Sequence, residues 1–241
     1  MENFIFDLYG TLADIRTDEQ NPKFRKIIAR RFNKKYAVDD FWSDYERLCE
    51  EACKGRFCEI DLFEVFKRLT GGASDERVQK ECDFFRKKSR SRLRLYRGAS
   101  KLLFNLKKSG AGVYLLSNAQ RCFTVGELKK LKILSMFDGV ILSSEEGKKK
   151  PCAEIFEAAV NRFGISAVGA VYVGNDFSAD VLGAKSVGLN TAYISSNLSP
   201  RGDDLKKISG VADFVCSDFG ALSRYLIKIA EKRGGAGQSF N

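Results

Sequence analysis

The sequence predicts an α/β protein, a doubly wound parallel sheet with a helical-bundle cap inserted after its first strand. Three observations carry this reading. From Ala99 onward, short continuous apolar runs alternate with helical stretches, the pattern of strands buried on both faces of a parallel sheet. Residues 18–94 show helical spacing throughout instead. One lone apolar strand, Asn3–Phe6, stands ahead of that stretch and is cut off by it from the others. A chain of 241 residues, 44% hydrophobic and 30% charged, is long enough for one such core and a small second unit.

Taken in order, Asn3–Phe6 is followed by a loop over residues 7–12. In the helical stretch Phe24, Ile27, Ile28, Arg31 and Phe32 recur at helical spacing, and so do Phe41, Tyr45, Leu48 and Ala52. Leu62, Val65, Phe66 and Leu69 follow before a stop at Gly71-Gly72, and Val78, Cys82 and Phe85 continue the pattern. The stretch therefore reads as a bundle of about four helices with no strand in it. Residues 102–106 are helical and end at Gly110. Strands are expected at 112–116, 140–142, 170–173, 191–194 and Phe214–Cys216, with helices at Ala153–Phe163 and 179–187 among those between them. The catalytic core is thus residues 1–16 with 95–241, and the cap is residues 17–94. Residues 234–241, Gly-rich and polar, read as a frayed tail.

Composition narrows the chemistry. The formal charge is +10, from 41 Lys+Arg against 31 Asp+Glu, which favours anionic partners. The basic stretches 23–35 and 86–97 interleave charge with apolar residues at helical spacing, so they read as solvated helix faces and no nucleic acid is expected. With no histidine, Ser-His-Asp and Cys-His systems are excluded. Seven cysteines without a Cys-x-x-Cys pair read as scattered reduced thiols; Cys49, Cys53 and Cys58 lack the fourth ligand of a zinc site. No apolar run is long enough to span a bilayer and no leader is read at the start, so the expected address is the cytoplasm.

In doubly wound sheets the active site lies outside the carboxyl ends of the strands. Asp7-Leu8-Tyr9-Gly10-Thr11-Leu12 follows the first strand, Ser117-Asn118 the second, and Lys150-Pro151 precedes a helix. Gly174-Asn175-Asp176-Phe177-Ser178-Ala179-Asp180 follows the strand at 170–173. One crevice thus collects a lone carboxylate that can act as a nucleophile, hydroxyl, amide and ammonium donors for phosphoryl oxygens, and acidic side chains that suit Mg²⁺. Gly10 allows the sharp exit that leaves Asp7 exposed at the strand end.

Phe-Asp-Leu-Tyr-Gly-Thr-Leu, Leu-Leu-Ser-Asn, Lys-Pro and Val-Gly-Asn-Asp-x-x-x-Asp-x-x-Gly-Ala, in this order, resemble the four motifs of the haloacid dehalogenase superfamily. The likeness covers nearly the whole chain, and the helical insert with Tyr96-x-Gly98-Ala99 after it resembles the helical-cap (C1) subclass. The resemblance implies a Rossmann-like core and a hydrolase working through an aspartyl intermediate. It implies Asp7 as nucleophile, Thr11 as orienter of the motif loop, Ser117 and Asn118 as phosphoryl or substrate contacts, and Lys150 as a ligand of both anion and nucleophile. Asp7, the Tyr9 carbonyl and the last motif (Asn175, Asp176, Asp180) would hold Mg²⁺.

Two positions depart from the pattern. Phosphatases of the superfamily carry a second Asp where this chain has Tyr9, and the 2-haloacid dehalogenases have Tyr there. The dehalogenases end on a neutral Ser-Ser-Asn-x-Trp-Asp motif, whereas this chain has Asn175, Asp176, Phe177 and Ala179, and Phe156 where they tend to have Tyr. Asn175 stands where phosphatases place a metal-binding Asp, with Asp176 one step on. The expectation is a Mg²⁺-dependent phosphatase of a small phosphorylated metabolite. The alternatives are a metal-independent 2-haloacid dehalogenase, with Tyr9 in place of the acid–base Asp, or a catalytically weak metabolite-binding or interaction module. In the cap, Phe41, Trp42, Tyr45 and Phe57 read as core, and Arg56 as the position facing the crevice and binding substrate.

Overall fold

The computed structural model describes residues 2–32 and 37–234. Residues 235–241 of the expected tail, and 33–36 of the first basic stretch, lie outside the described residues. A six-stranded sheet in the order β5-β4-β1-β6-β7-β8 is formed by β1 (Asn3–Phe6), β4 (Gly112–Ser117), β5 (Gly139–Leu142), β6 (Ala170–Gly174), β7 (Asn190–Ile194) and β8 (Phe214–Cys216). All its pairs are parallel. The first strand in sequence is therefore central, hydrogen-bonded to β4 on one side and β6 on the other. Each expected strand of the sheet is present.

The pleat sorts side chains to two faces. Phe4, Phe6, Val113, Leu115, Val171 and Val173 pack under α5 (Ala99–Lys108), α6 (Arg121–Lys130) and α11 (Phe219–Gly234). Ile5, Leu116, Ile141 and Tyr172 point the other way, against Ile155, Phe156 and Ala159 of α8 (Ala153–Phe163) and Ala184 of α9 (Gly183–Ser186). Residues 179–187, expected as one helix, divide into a π-helical turn, Phe177–Leu182, and the short α9. Short helices α7 (Ser143–Glu146) and α10 (Leu205–Ser209) complete the fold.

The insert carries four helices, α1 (Pro22–Phe32), α2 (Val38–Ala52), α3 (Leu62–Leu69) and α4 (Asp75–Ser89). Phe24, Phe41, Trp42, Phe66 and Phe85 fill its core, and Phe24 meets Phe85 edge-on at 5.0 Å. Each buried aromatic contributes about 2–3 kcal/mol through area removed from water. Cys122 and Phe123 of α6 join this cluster, with Phe123 stacked on Phe85 at 5.8 Å. Leu128 of the same helix belongs to the core of the main sheet.

Two expectations are corrected here. The stretch to residue 94 is not helical throughout: β3 (Arg90–Leu95) pairs antiparallel with β2 (Ala13–Thr17), forming a ribbon at the root of the insert. Arg92, Leu93, Arg94 and Leu95 alternate charged and apolar with a period of two, which is strand chemistry. The cysteines are not all reduced either. Gly55, at φ +115°, turns the chain so that Cys53 and Cys58 come to a Cα separation of 5.6 Å and are joined in a disulfide, leaving five free thiols. That loop sits against the core, with Lys149 N–H donating to the Phe57 carbonyl (2.9 Å) and Glu59 N–H to Gly147 (3.1 Å). Phe57 lies in this loop, not in the aromatic cluster of the bundle. Among the described residues no helix is long and apolar enough to cross a membrane.

Candidate active site

At the carboxyl end of β1 the Asp7 N–H still bonds to Val173 O (2.9 Å), and the chain then leaves the sheet in a tight loop. Leu12 and Ala13 N–H both return to the Leu8 carbonyl at 2.8 Å. Gly10 holds φ +90°, and a Cβ there would overlap the Asn175 carboxamide. The turn therefore requires glycine twice, for its dihedral and for its neighbour.

Asp7 is buried. Its Oδ1 accepts from Ser117 Oγ and Lys150 Nζ, both at 2.9 Å. Its Oδ2 lies 3.2 Å from Thr11 Oγ1, which is also 3.1 Å from Asn175 Oδ1. One hydroxyl proton serves only one of them at a time. Asp7, Thr11, Ser117, Lys150, Asn175 and Asp180, contributed by four strand ends and loops, thus meet in one network.

Lys150 is also buried. Its ammonium donates to Asp7 Oδ1, to Asp180 Oδ1 (2.6 Å) and to the Tyr172 hydroxyl (2.8 Å). Burial works against the charge, but the Asp180 and Asp7 carboxylates hold its pKa well above the ordinary lysine value. Burial pushes Asp180 upward and the Lys150 ammonium opposes it. The other Asp180 oxygen accepts the N–H groups of Asn175 and Asp176, each at 2.9 Å, and so shapes the loop after β6. Asn118 spends its carboxamide on the Lys150 backbone, accepting Lys150 N–H (2.8 Å) and donating to its carbonyl (3.1 Å). It holds the lysine loop and does not project toward Asp7.

Three expected residues fall elsewhere. The Tyr9 hydroxyl donates to the buried Glu127 carboxylate on α6 and lies 3.1 Å from Thr124 Oγ1. Glu127 also takes Arg86 Nε (2.8 Å) of α4 and Arg90 Nη1 (2.5 Å) of β3. Burial and the Glu127 charge raise the phenol's pKa well above its usual value. Asp176 Oδ1 caps Ala179 N–H (2.7 Å), whereas the Asn175 amide oxygen lies 3.1 Å from Thr11 Oγ1, the hydroxyl that also reaches Asp7. The Arg56 guanidinium lies over the Phe57 ring at 5.0 Å and, with the disulfide loop, Lys148 and Pro151, lines a cleft of about 690 Å³ that Asp7, Ser117 and Asn175 do not line. Tyr172 and Glu127 escaped the sequence reading; a tyrosine within the apolar run Ala170-Val171-Tyr172-Val173 was the one signal, since a buried phenol needs a partner.

The oxygen donors beside Asp7 are its own carboxylate and, across the Thr11 hydroxyl, the Asn175 amide oxygen. This set suits Mg²⁺, which takes one or two carboxylates and keeps waters and phosphate oxygens for the rest. Among the described residues no group of three or more His, Cys, Asp or Glu could hold a metal as an all-protein cage.

Comparison with known proteins agrees with this arrangement. Residues 1–188 match the family model of haloacid dehalogenase-like hydrolases. The glyceraldehyde 3-phosphate phosphatase of Methanothermobacter thermautotrophicus is 32% identical over 134 residues, 56% of this chain and 59% of the relative. The Pyrococcus abyssi phosphatase of that name matches over 42% of its length, so the chain spans only about half of these relatives. The human N-acylneuraminate-9-phosphatase is 28% identical over 203 residues, 80% of this chain and 82% of that protein. In fold, a HAD phosphatase from Thermococcus onnurineus superposes with a TM-score of 0.61 at 23% identity, covering 94% of this chain and 98% of the other. With the family model matching over most of its length, the chain belongs to the haloacid dehalogenase-like hydrolases.

Proposed function

We propose that this protein is a Mg²⁺-dependent phosphatase that hydrolyses the monoester of a small phosphorylated metabolite through a phospho-aspartyl intermediate on Asp7. The observation that carries the reading is the convergence of Ser117 Oγ and Lys150 Nζ on one Asp7 oxygen at 2.9 Å. A hydroxyl and an ammonium so placed also offset the charge of phosphoryl oxygens brought against Asp7. The phosphatase names of the relatives support it.

Asp7 attacks phosphorus in line with the leaving oxygen, the ester P–O bond breaks, and water then opens the acyl-phosphate to release phosphate and restore the carboxylate. Ser117 and Lys150 hold the transferring group, and Thr11 keeps the Asp7 and Asn175 oxygens in register. Mg²⁺, when bound by Asp7, Asn175, Asp176 and the Tyr9 carbonyl, would neutralise carboxylate and phosphate together. Asp180 acts from behind, through Lys150 and the loop amides. The cytoplasm remains the proposed location.

The test is phosphate release from nitrophenyl phosphate with Mg²⁺, with EDTA, and with Asp7→Asn, alongside chloride release from 2-chloropropionate. Release that needs both Mg²⁺ and Asp7 is expected. Chloride release indifferent to EDTA would instead make the protein a dehalogenase, and silence in both assays would favour a binding module.

A further inference from the structure

Tyr172 lies on β6 outside all four motifs, wholly buried beneath the site. An ammonium has three N–H donors and no acceptor. Asp7 Oδ1 and Asp180 Oδ1 take two of those of Lys150, which leaves one N–H to be satisfied in a buried place. The Tyr172 oxygen, 2.8 Å away, takes the third. It accepts because its own proton goes to the Leu116 carbonyl at 2.9 Å; Asp180 Oδ1, at 3.3 Å, is the longer alternative. Leu116 immediately precedes Ser117, whose hydroxyl rests on the same Asp7 oxygen as Lys150. The phenol thus ties the lysine to the strand that presents the serine. The ring cannot swing away, since Phe156 meets it edge-on at 5.2 Å.

We propose that Tyr172 is a positioning residue that fixes the direction of the Lys150 ammonium, so that Lys150 and Ser117 address Asp7 and the phosphoryl group as one unit. This rests on the reading of Asp7 as nucleophile and Lys150 as its cationic partner. The competing possibility is a core tyrosine whose hydroxyl is merely satisfied.

Tyr172→Phe keeps the ring and its packing and removes only the oxygen. With nitrophenyl phosphate we expect kcat to fall about tenfold, the scale of one hydrogen bond to a charged group, with KM near wild type and the melting temperature lower by a few degrees, since the Lys150 N–H and the Leu116 carbonyl each lose a buried partner. The decisive readout is a double-mutant cycle with Lys150→Met, in which adding Tyr172→Phe should cause no further loss. If Lys150→Met leaves no measurable turnover, the same cycle is read on the Kd for orthovanadate. Wild-type kcat in Tyr172→Phe, or an equal loss with and without Lys150, overturns the proposal. Asp7→Asn is run in parallel. Turnover retained there sinks the nucleophile reading itself, whereas a dead Asp7→Asn beside an unaffected Tyr172→Phe sinks the positioning role alone.

Discussion

On the phosphatase reading Tyr9 stands where an acid would protonate the leaving oxygen, yet its hydroxyl is committed to Glu127 and its pKa is raised. Without a free acid at that place, esters whose alcohol departs unaided should react fastest. Nitrophenyl phosphate is therefore expected to turn over at least about tenfold faster than an alkyl phosphate such as glycerol phosphate, because an acid of suitable pKa is worth a hundredfold or more. Equal kcat values for the two would mean that some other group supplies the proton. At this scale the sequence brought Asp7, Thr11, Ser117 and Asp180 to one place because they follow strands of one sheet, and Lys150 because it precedes a helix at the same end; the structure joins all five in one network. The sequence was a poor guide to where a side chain points. Tyr9 and Glu127 lie 118 positions apart, and nothing local foretells their contact. The Asn118 carboxamide, with the right chemistry for a phosphoryl contact, is used up on the Lys150 backbone.

The ribbon of β2 and β3 is the element least legible in the sequence, since the period-two alternation of Arg92-Leu93-Arg94-Leu95 spans only four residues. Asp14 on β2 holds it together, accepting from Arg92 Nη1 (3.2 Å), Arg94 Nε (3.0 Å) and Asn197 Nδ2 (3.2 Å). Burial alone would raise the Asp14 pKa, but bonds from Asn197, Arg94 and Arg92 more than reverse this and hold it below the unfolded value of 3.8. The folded state therefore binds the Asp14 proton more weakly than the unfolded chain does. Its stabilising contribution is complete above the unfolded value and is lost as pH falls through the folded one. The melting temperature of Asp14→Asn should lie below wild type at about pH 6, and the gap should narrow as the pH falls below the unfolded value of 3.8. A gap constant with pH would show that Asp14 is not ionised in the ribbon.

For the whole molecule, α6 is the joint. One end enters the aromatic cluster of the cap through Phe123, and the other enters the main core through Leu128. Phe123→Ala should cost about 3 kcal/mol in urea unfolding. Amide exchange should quicken more in α4 than in β1, and uniform quickening would mean that cap and core are not joined there. The overall plan, a parallel sheet interrupted by a helical insert, was visible from periodicity alone because long apolar patterns average over local exceptions. The sheet order carries one further consequence, in time rather than in space. The strand bearing Asp7 is central but is made first among the six, and its neighbours β4 and β6 end at Ser117 and Gly174. At about 5–20 residues per second, a ribosome would leave β1 without its second neighbour for on the order of ten seconds or more. Throughout that interval an apolar strand with at least one edge open has to be kept from pairing wrongly, while the helical insert, rich in local contacts, can already fold beside it.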